Sequence, residues 1–235
     1  MVRKMVPLAQ YGPCRIFMKQ TFFDLDAWAE AAPKNQVEFR QAISIILTAV
    51  ANDRYLSEIM IMKGGILMAI RHSSTRYTSD LDFSSSVARA NFDQEKFDRA
   101  FRQSLAMIVA DSDYGLDCRV QSCRFNPPDD HCHFPNLELK IGYAYKGTPK
   151  HKRLMAGQSP STIEMDFSLN EPINDVEVLR LERGMCLQAY ALTDLIAEKF
   201  RALLQQQPRN RYRRQDVYDL RFLLESGIDE SKREA

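Results

Sequence analysis

Two adjacent glycines, Gly64 and Gly65, separate the apolar segments Glu58-Ile-Met-Ile-Met and Ile66 to Arg71. Paired glycines weaken the interior of a helix or strand, so they belong at a junction. The segment before them is short and apolar, as a buried strand is. The segment after them reads as a short helix. Fourteen residues then separate Gly65 from Asp80-Leu-Asp-Phe. Thr78 to Phe83 alternates acidic and apolar residues, which predicts a second strand with one buried and one polar face. Residues two apart on a strand share a face, about 6.5–7 Å from each other. Asp80 and Asp82 would therefore point the same way and need a positive partner between them. A divalent cation meets that need, and hard carboxylate ligands favour Mg²⁺ or Mn²⁺. Gly64 and Gly65, without a Cβ, would let backbone N–H groups approach an anion at the following helix N-terminus.

Around this unit the chain alternates helical and strand patterns. Val37 to Asn52 carries apolar residues at spacings of three and four, which predicts a helix with one buried face. Asn91 to about Val109 repeats that pattern through Phe97, Phe101, Leu105 and Ile108. Arg119 to Phe125, Leu137 to Tyr145, Thr162 to Leu169 and Val176 to Leu181 read as strands. The basic, turn-rich run between Lys146 and Ser161 reads as an exposed loop. After Gly184 the pattern reads as helical to the end, interrupted at Pro208 and closed at Gly227. The expectation is an α+β fold: a mixed sheet with flanking helices, then a small helical lobe. The boundaries are 1–183 for the core with its N-terminal helical segment and 184–235 for the C-terminal lobe.

Length and composition narrow the functional classes. The 235 residues suffice for one sizeable domain or one domain with a small lobe. A net charge of +1 names no partner, so only local clusters can. Five scattered cysteines with no secretory signal ahead of them read as reduced thiols in a cytoplasmic protein. No apolar run approaches the roughly 18 residues that span a membrane. Cys118, Cys123, His131, Cys132 and His133 match no usual zinc spacing and read as strand and loop residues. His72 and His151 sit in polar contexts that predict exposure, and Met60, Met62 and Met68 read as core.

A third acid for the cation would come from Thr162-Ile-Glu-Met-Asp-Phe. Ile163, Met165 and Phe167 form one face of that strand; Glu164 and Asp166 form the other. Asp166 is the first choice, with Glu164 left open. Late in the chain, Lys199 lies within an amphipathic helix. Four arginines follow within residues 209–214, ahead of Asp216 and Asp219. Such a patch suits a triphosphate or a nucleic-acid backbone. The two acids, three apart on a helix, can pair with Arg213 or Lys199.

Together these motifs resemble the AbiEii/AbiGii toxin family of nucleotidyltransferases, the toxin half of type IV toxin–antitoxin systems, a group that includes MenT-type tRNA nucleotidyltransferase toxins. The likeness rests on Lys63-Gly64-Gly65-Ile66-Leu67-Met68 with Arg76-Tyr77-Thr78-Ser79-Asp80-Leu81-Asp82-Phe83, on Ile163 to Phe167, and on Glu198-Lys199-Phe200-Arg201-Ala202-Leu203 followed by Arg211 to Leu220. Thr78 stands for the usual serine and keeps the hydroxyl. Gln215 stands where a basic residue is common, and Leu67 falls one residue early.

The resemblance implies a nucleotidyltransferase-like sheet and transfer of a nucleotidyl group from an NTP to an acceptor, a tRNA 3′ end by first expectation. It implies Asp80 and Asp82 as ligands of Mg²⁺ (or Mn²⁺), with Asp166 as a third ligand or as base. It implies Gly64, Gly65 and the Thr78 or Ser79 hydroxyl around the phosphates. Lys199, helped by Lys63, Arg76 and Arg211, would hold the triphosphate, and Asp216 would anchor these cations or contact the nucleotide. A cognate antitoxin is the implied partner. The competing readings are a catalytically silent relative that binds a nucleotide or partner, and a transferase acting on a protein or small molecule.

Overall fold

Alternation along the strands decides which side of the sheet becomes the core. The computed structural model describes residues 20–128, 135–206, 210 and 212–227. Among the described residues eight strands form one mixed sheet: β1 (Gln20–Phe22), β2 (Ile61–Lys63), β3 (Leu81–Ser84), β4 (Leu116–Asn126), β5 (Asn136–Tyr145), β6 (Thr162–Ser168), β7 (Val176–Arg180) and β8 (Cys186–Tyr190). Their order is β1-β7-β8-β2-β3-β6-β5-β4. At the centre, β2 runs antiparallel to β3 and parallel to β8, and β3 runs parallel to β6.

Met62, Phe83, Leu81, Met165 and Phe167 are buried on one face. Helices α2 (Val37–Asn52) and α5 (Gln94–Asp111) cover them. Phe97 stacks on Phe167 with ring centroids 5.3 Å apart, and Phe92 meets Phe167 edge-on at 5.8 Å. Ser104 of α5 donates to the Ala49 carbonyl of α2 at 2.7 Å, which ties the two helices. The other face carries the polar residues of the same strands. Helix α4 (Gly64–His72) leaves β2 directly, so the Gly-Gly junction expected from the sequence is present. Helix α7 (Leu192–Leu204) follows β8, and α8 (Arg214–Gly227) packs against α7. The remaining helices are α1 (Leu25–Glu30), α3 (Arg54–Ile59) and α6 (Pro149–Met155). Met60, Met62 and Met68 are core, as expected.

Four local expectations shift. The strand ahead of the glycines starts at Ile61, because Asp53 caps α3 by accepting from the Leu56 N–H at 3.0 Å and that helix consumes Glu58 and Ile59. The acidic strand begins at Leu81 rather than Thr78, so Asp80 sits in its lead-in. The basic segment after Lys146 is not all loop: Thr148 caps α6 and Pro149 occupies its first turn, where a missing N–H costs nothing. Finally, the chain after Gly184 is not wholly helical. A tight reversal with Arg183 and Gly184 at positive φ turns β7 back into β8, which inserts between β7 and β2. The expected boundary at 184 thus precedes a strand of the central sheet.

The aromatic stack sets the cost of opening this core. Phe167→Ala is expected to destabilise the protein by about 3–5 kcal/mol, read as a shift in the urea midpoint without a change in slope.

Candidate active site

The polar face of the sheet carries one continuous row of charge. Lys63, Asp82, Asp166 and Glu138 are direct register partners on β2, β3, β6 and β5. Adjacent strands lie about 4.8 Å apart, and direct partners share a face. Two carboxylates, Asp82 and Asp166, therefore stand side by side, with the Lys63 ammonium beyond Asp82. Asn136 donates to Asp166 Oδ1 at 2.8 Å and fixes that carboxylate. Glu164, two residues earlier on β6, is exposed and pairs with Lys140 at 3.3 Å.

Both glycines seat parts of this site. Gly64 has φ +74°, and a Cβ there would come 2.0 Å from Asp82 Oδ2. A Cβ on Gly65 would come 2.7 Å from Thr78 Oγ1 and 3.1 Å from Arg76 Nη2. The acid and the hydroxyl close onto the start of α4, where the helix dipole favours negative charge. Asp80 is exposed, and Ser79 donates to its Oδ1 at 2.8 Å.

The cations come from α7, α8 and the loop before β3. Lys63 Nζ lies 3.4 Å from Glu198 Oε1. The next residue, Lys199, meets Asp216 at 3.1 Å and Asp219 at 3.0 Å. Asp219 is fully buried and also accepts two bonds from Arg76, at 2.6 and 2.9 Å. One carboxylate thus joins α8, α7 and the loop that leads into the acidic strand. Arg211 lies outside the described residues.

Burial and charge act in opposition here. Burial pushes the Asp82 carboxyl up, Glu198 and Asp166 add to the push, and Lys63 and Lys199 oppose it; the result is about 6. For Lys63, burial would lower the ammonium, but Glu198 and its neighbours overturn this and hold it above its usual value. Lys199 is likewise held up against burial, by Asp219 and Asp216. Glu198 Oε2 and Asp216 Oδ2 are buried without a hydrogen-bond partner.

The donor chemistry fits a hard divalent cation at Asp82 and Asp166, where a positive charge would offset the burial and the neighbouring carboxylates that raise Asp82. Among the described residues no group of three or more His, Cys, Asp and Glu side chains is close enough to hold a metal ion. The pair, rather than a preassembled triad including Asp80, is what the structure brings together.

Other residues from the sequence reading fall elsewhere. Cys118 is buried and Cys123 half-buried; burial raises both thiols, Cys123 to about 12. His131, Cys132 and His133 lie outside the described residues. His151 does not face water freely: its Nε2 lies 2.9 Å from the buried Asp117, while the Gly147 N–H donates to Nδ1 at 3.4 Å. Glu198 and Asn136 were not singled out in the sequence. Glu198 was visible only as a neighbour of Lys199, and Asn136 opens a strand with no motif around it. Of the two partners open to Asp219 in the sequence, Arg213 and Lys199, it takes Lys199, and its bond to Arg76, 143 residues away, has no local signal.

The raised Asp82 carboxyl has a consequence for stability. Its folded value of about 6 lies above the ordinary 3.8. The folded state therefore binds the proton more tightly. The stabilisation is present below about pH 4 and is lost as pH rises through about 6. Asp82→Asn removes that loss, so in EDTA it is expected to stabilise the protein by about 1–3 kcal/mol at pH 8 and by less at pH 5. Urea titrations at the two pH values measure this, and an equal difference at both would contradict it.

Comparison with known proteins places this geometry. A search among curated proteins returns no match. One solved structure, described as a "putative nucleotidyltransferase" from H. pylori, aligns with 13% identity and a TM-score of 0.40, covering 72% of this chain and 59% of that one. The chain thus spans less than two thirds of that relative's length. The family model described as nucleotidyl transferase AbiEii toxin, type IV TA system, matches residues 45–235, a span that contains every element of the charged row and both C-terminal helices. The chain belongs to the AbiEii nucleotidyl transferase toxin family of type IV toxin–antitoxin systems.

Proposed function

We propose that this chain is a divalent-metal-dependent nucleotidyltransferase that moves NMP from an NTP to a hydroxyl at a tRNA 3′ end. The observation that carries the reading is the register-paired Asp82 and Asp166, closed on Gly64 and flanked by Lys63. Family membership supports the reaction class. Asp82 and Asp166 would hold Mg²⁺ or Mn²⁺, with Asp80 from the lead-in of β3. Held by these carboxylates, the cation would supply positive charge that offsets the charge of the phosphate groups.

The chain's own groups do the rest. The acceptor oxygen forms a bond to the α-phosphorus, the bond from that phosphorus to the bridging oxygen breaks, and pyrophosphate leaves. Asp166, fixed by Asn136, takes the hydroxyl proton. Lys199 has three N–H donors, of which Asp216 and Asp219 use two, leaving one for a phosphate oxygen. Arg76, clamped by Asp219, adds charge at the triphosphate. Thr78 and Ser79 supply hydroxyls beside Gly64 and Gly65. Asp216 anchors Lys199. The family's type IV system supplies the partner, a cognate antitoxin. Among the described residues no helix is long and apolar enough to cross a membrane.

The test uses each labelled NTP with Mg²⁺ and total tRNA. The expected result is label on tRNA from the wild type, with Asp82→Ala and Lys199→Ala each lowering the rate at least about 100-fold (~2.7 kcal/mol). Gly64→Ala is expected to lose activity similarly, because its Cβ would displace Asp82. Absence of transfer to tRNA, protein or any small acceptor with any NTP would overturn the enzyme reading. Label on protein alone would move the acceptor away from tRNA.

A further inference from the structure

Lys63 takes a different acid from the one its strand pairing offers. Its direct partner across β2 and β3 is Asp82. Opposite charges that face each other on neighbouring strands attract, and a lysine stem is long and flexible enough to close such a pair. Among the described residues no ion pair joins these two. The Lys63 ammonium instead meets Glu198 Oε1 of α7 at 3.4 Å and lies 5.9 Å from the centre of the Tyr190 ring. Burial lowers this ammonium, and Glu198 does most to raise it, ahead of Tyr190, Glu171 and Asp82. The Asp82 carboxylate lies against Gly64 at the start of α4.

Glu198 sits on a stretch of α7 that is fixed on both sides. Asp194, one turn earlier and buried, accepts the Asn174 and Asp175 N–H groups at 2.9 and 3.0 Å and the Asn174 side-chain amide at 3.1 Å. Lys199, the next residue, is held by Asp216 and Asp219. Resting on the nucleotidyltransferase reading and its divalent cation, we infer that Glu198 is a positioning residue: it draws the Lys63 ammonium to α7 and so keeps Asp82 open to the cation. A buried ammonium needs a carboxylate partner. Without Glu198 the acids that remain for it are Glu171, already engaged by Arg201 at 3.3 Å, and Asp82. A lysine tethered on the next strand is present at a high effective concentration. It would compete with Mg²⁺ or Mn²⁺ for the Asp82 carboxylate.

Mn²⁺ binding, followed by the electron paramagnetic resonance signal of the free ion, compares wild type, Glu198→Gln, Lys63→Met and the double variant Lys63→Met/Glu198→Gln. Glu198→Gln is expected to weaken Mn²⁺ binding about 10- to 150-fold, and the double variant, with no ammonium to place, to bind within about threefold of wild type. Lys63→Met alone is expected to bind as tightly as wild type or more tightly. A crystal structure of Glu198→Gln is expected to show Lys63 Nζ on an Asp82 oxygen at about 2.7–2.9 Å. The inference is overturned if Glu198→Gln leaves the affinity unchanged, if Lys63 stays away from Asp82 in that crystal structure, or if the wild type binds no Mn²⁺. It is also overturned if the double variant binds as weakly as Glu198→Gln, because Glu198 would then act on the cation through its own charge. Should Glu198→Gln fail to fold, the other two variants decide: affinities near or above wild type support the inference, and a loss in either overturns it. A wild type that binds Mn²⁺ but transfers no nucleotide counts against the reaction class alone and leaves the role of Glu198 standing.

Discussion

The pairing of Asp82 with Asp166 across β3 and β6 is the constraint around which the rest of this structure is arranged. Two acids on adjacent strands repel, and that repulsion adds to the burial and the Glu198 charge that together raise the Asp82 carboxyl. The opposite face of the same strands supplies the opposing free energy. Leu81, Phe83, Met165 and Phe167 are all fully buried there, in the register that pairs Phe83 with Phe167. Each such side chain is worth about 1.5–3 kcal/mol of burial. A slip by one residue would free the acids but turn all four apolar side chains to the polar face. The core therefore holds the carboxylates together, and their repulsion leaves a place for positive charge.

Positive charge reaches that place by two routes with different rigidity. Lys63 is part of the sheet, and its register with Asp82 is set by backbone pairing. Lys199 and Arg76 arrive from a helix and a loop, and what fixes them is the buried carboxylate of Asp219. A buried acid with one partner would be costly. With Arg76 bidentate and Lys199 alongside, Asp219 has its charge matched and its oxygens occupied. It holds the C-terminal helices and the site loop as one unit. Glu198 performs the matching role for Lys63 from the same turn of α7.

How much of this was legible depended on whether the signal was local. Helix α2 runs from Val37 to Asn52, the span that its three-and-four spacing predicts. The glycine junction and the acids Asp82 and Asp166 could be read because their strands alternate cleanly. Strand β8 could not, because Leu187, Tyr190 and Leu195 also fall at spacings that continue into α7, and only the positive-φ reversal at Arg183 and Gly184 distinguishes a hairpin. Helix α6 was hidden by its short length and basic composition, although Thr148-Pro149 is a capping signal. The charge row was beyond reach for a different reason. Which residue of β6 faces Asp82 is a matter of register between segments more than 80 residues apart, so Glu164 stays open beside the first choice, Asp166, until the pairing is seen.

The glycines change meaning most. In sequence, Gly64 and Gly65 read as bare backbone left open for a phosphate. In the structure the space a Cβ would take at Gly64 belongs to Asp82, and at Gly65 to Thr78 and Arg76. The absent side chains let the acid, the hydroxyl and the guanidinium approach the first turn of α4, whose free N–H groups and dipole favour the acid. The pair therefore acts through the groups it admits: it sets how close Asp82 comes to the helix and how near Arg76 and Thr78 approach it. Substituting either glycine moves a site residue before it touches any ligand, so a defect there would follow from a displaced Asp82 or Thr78 even in a protein whose sheet and core are intact.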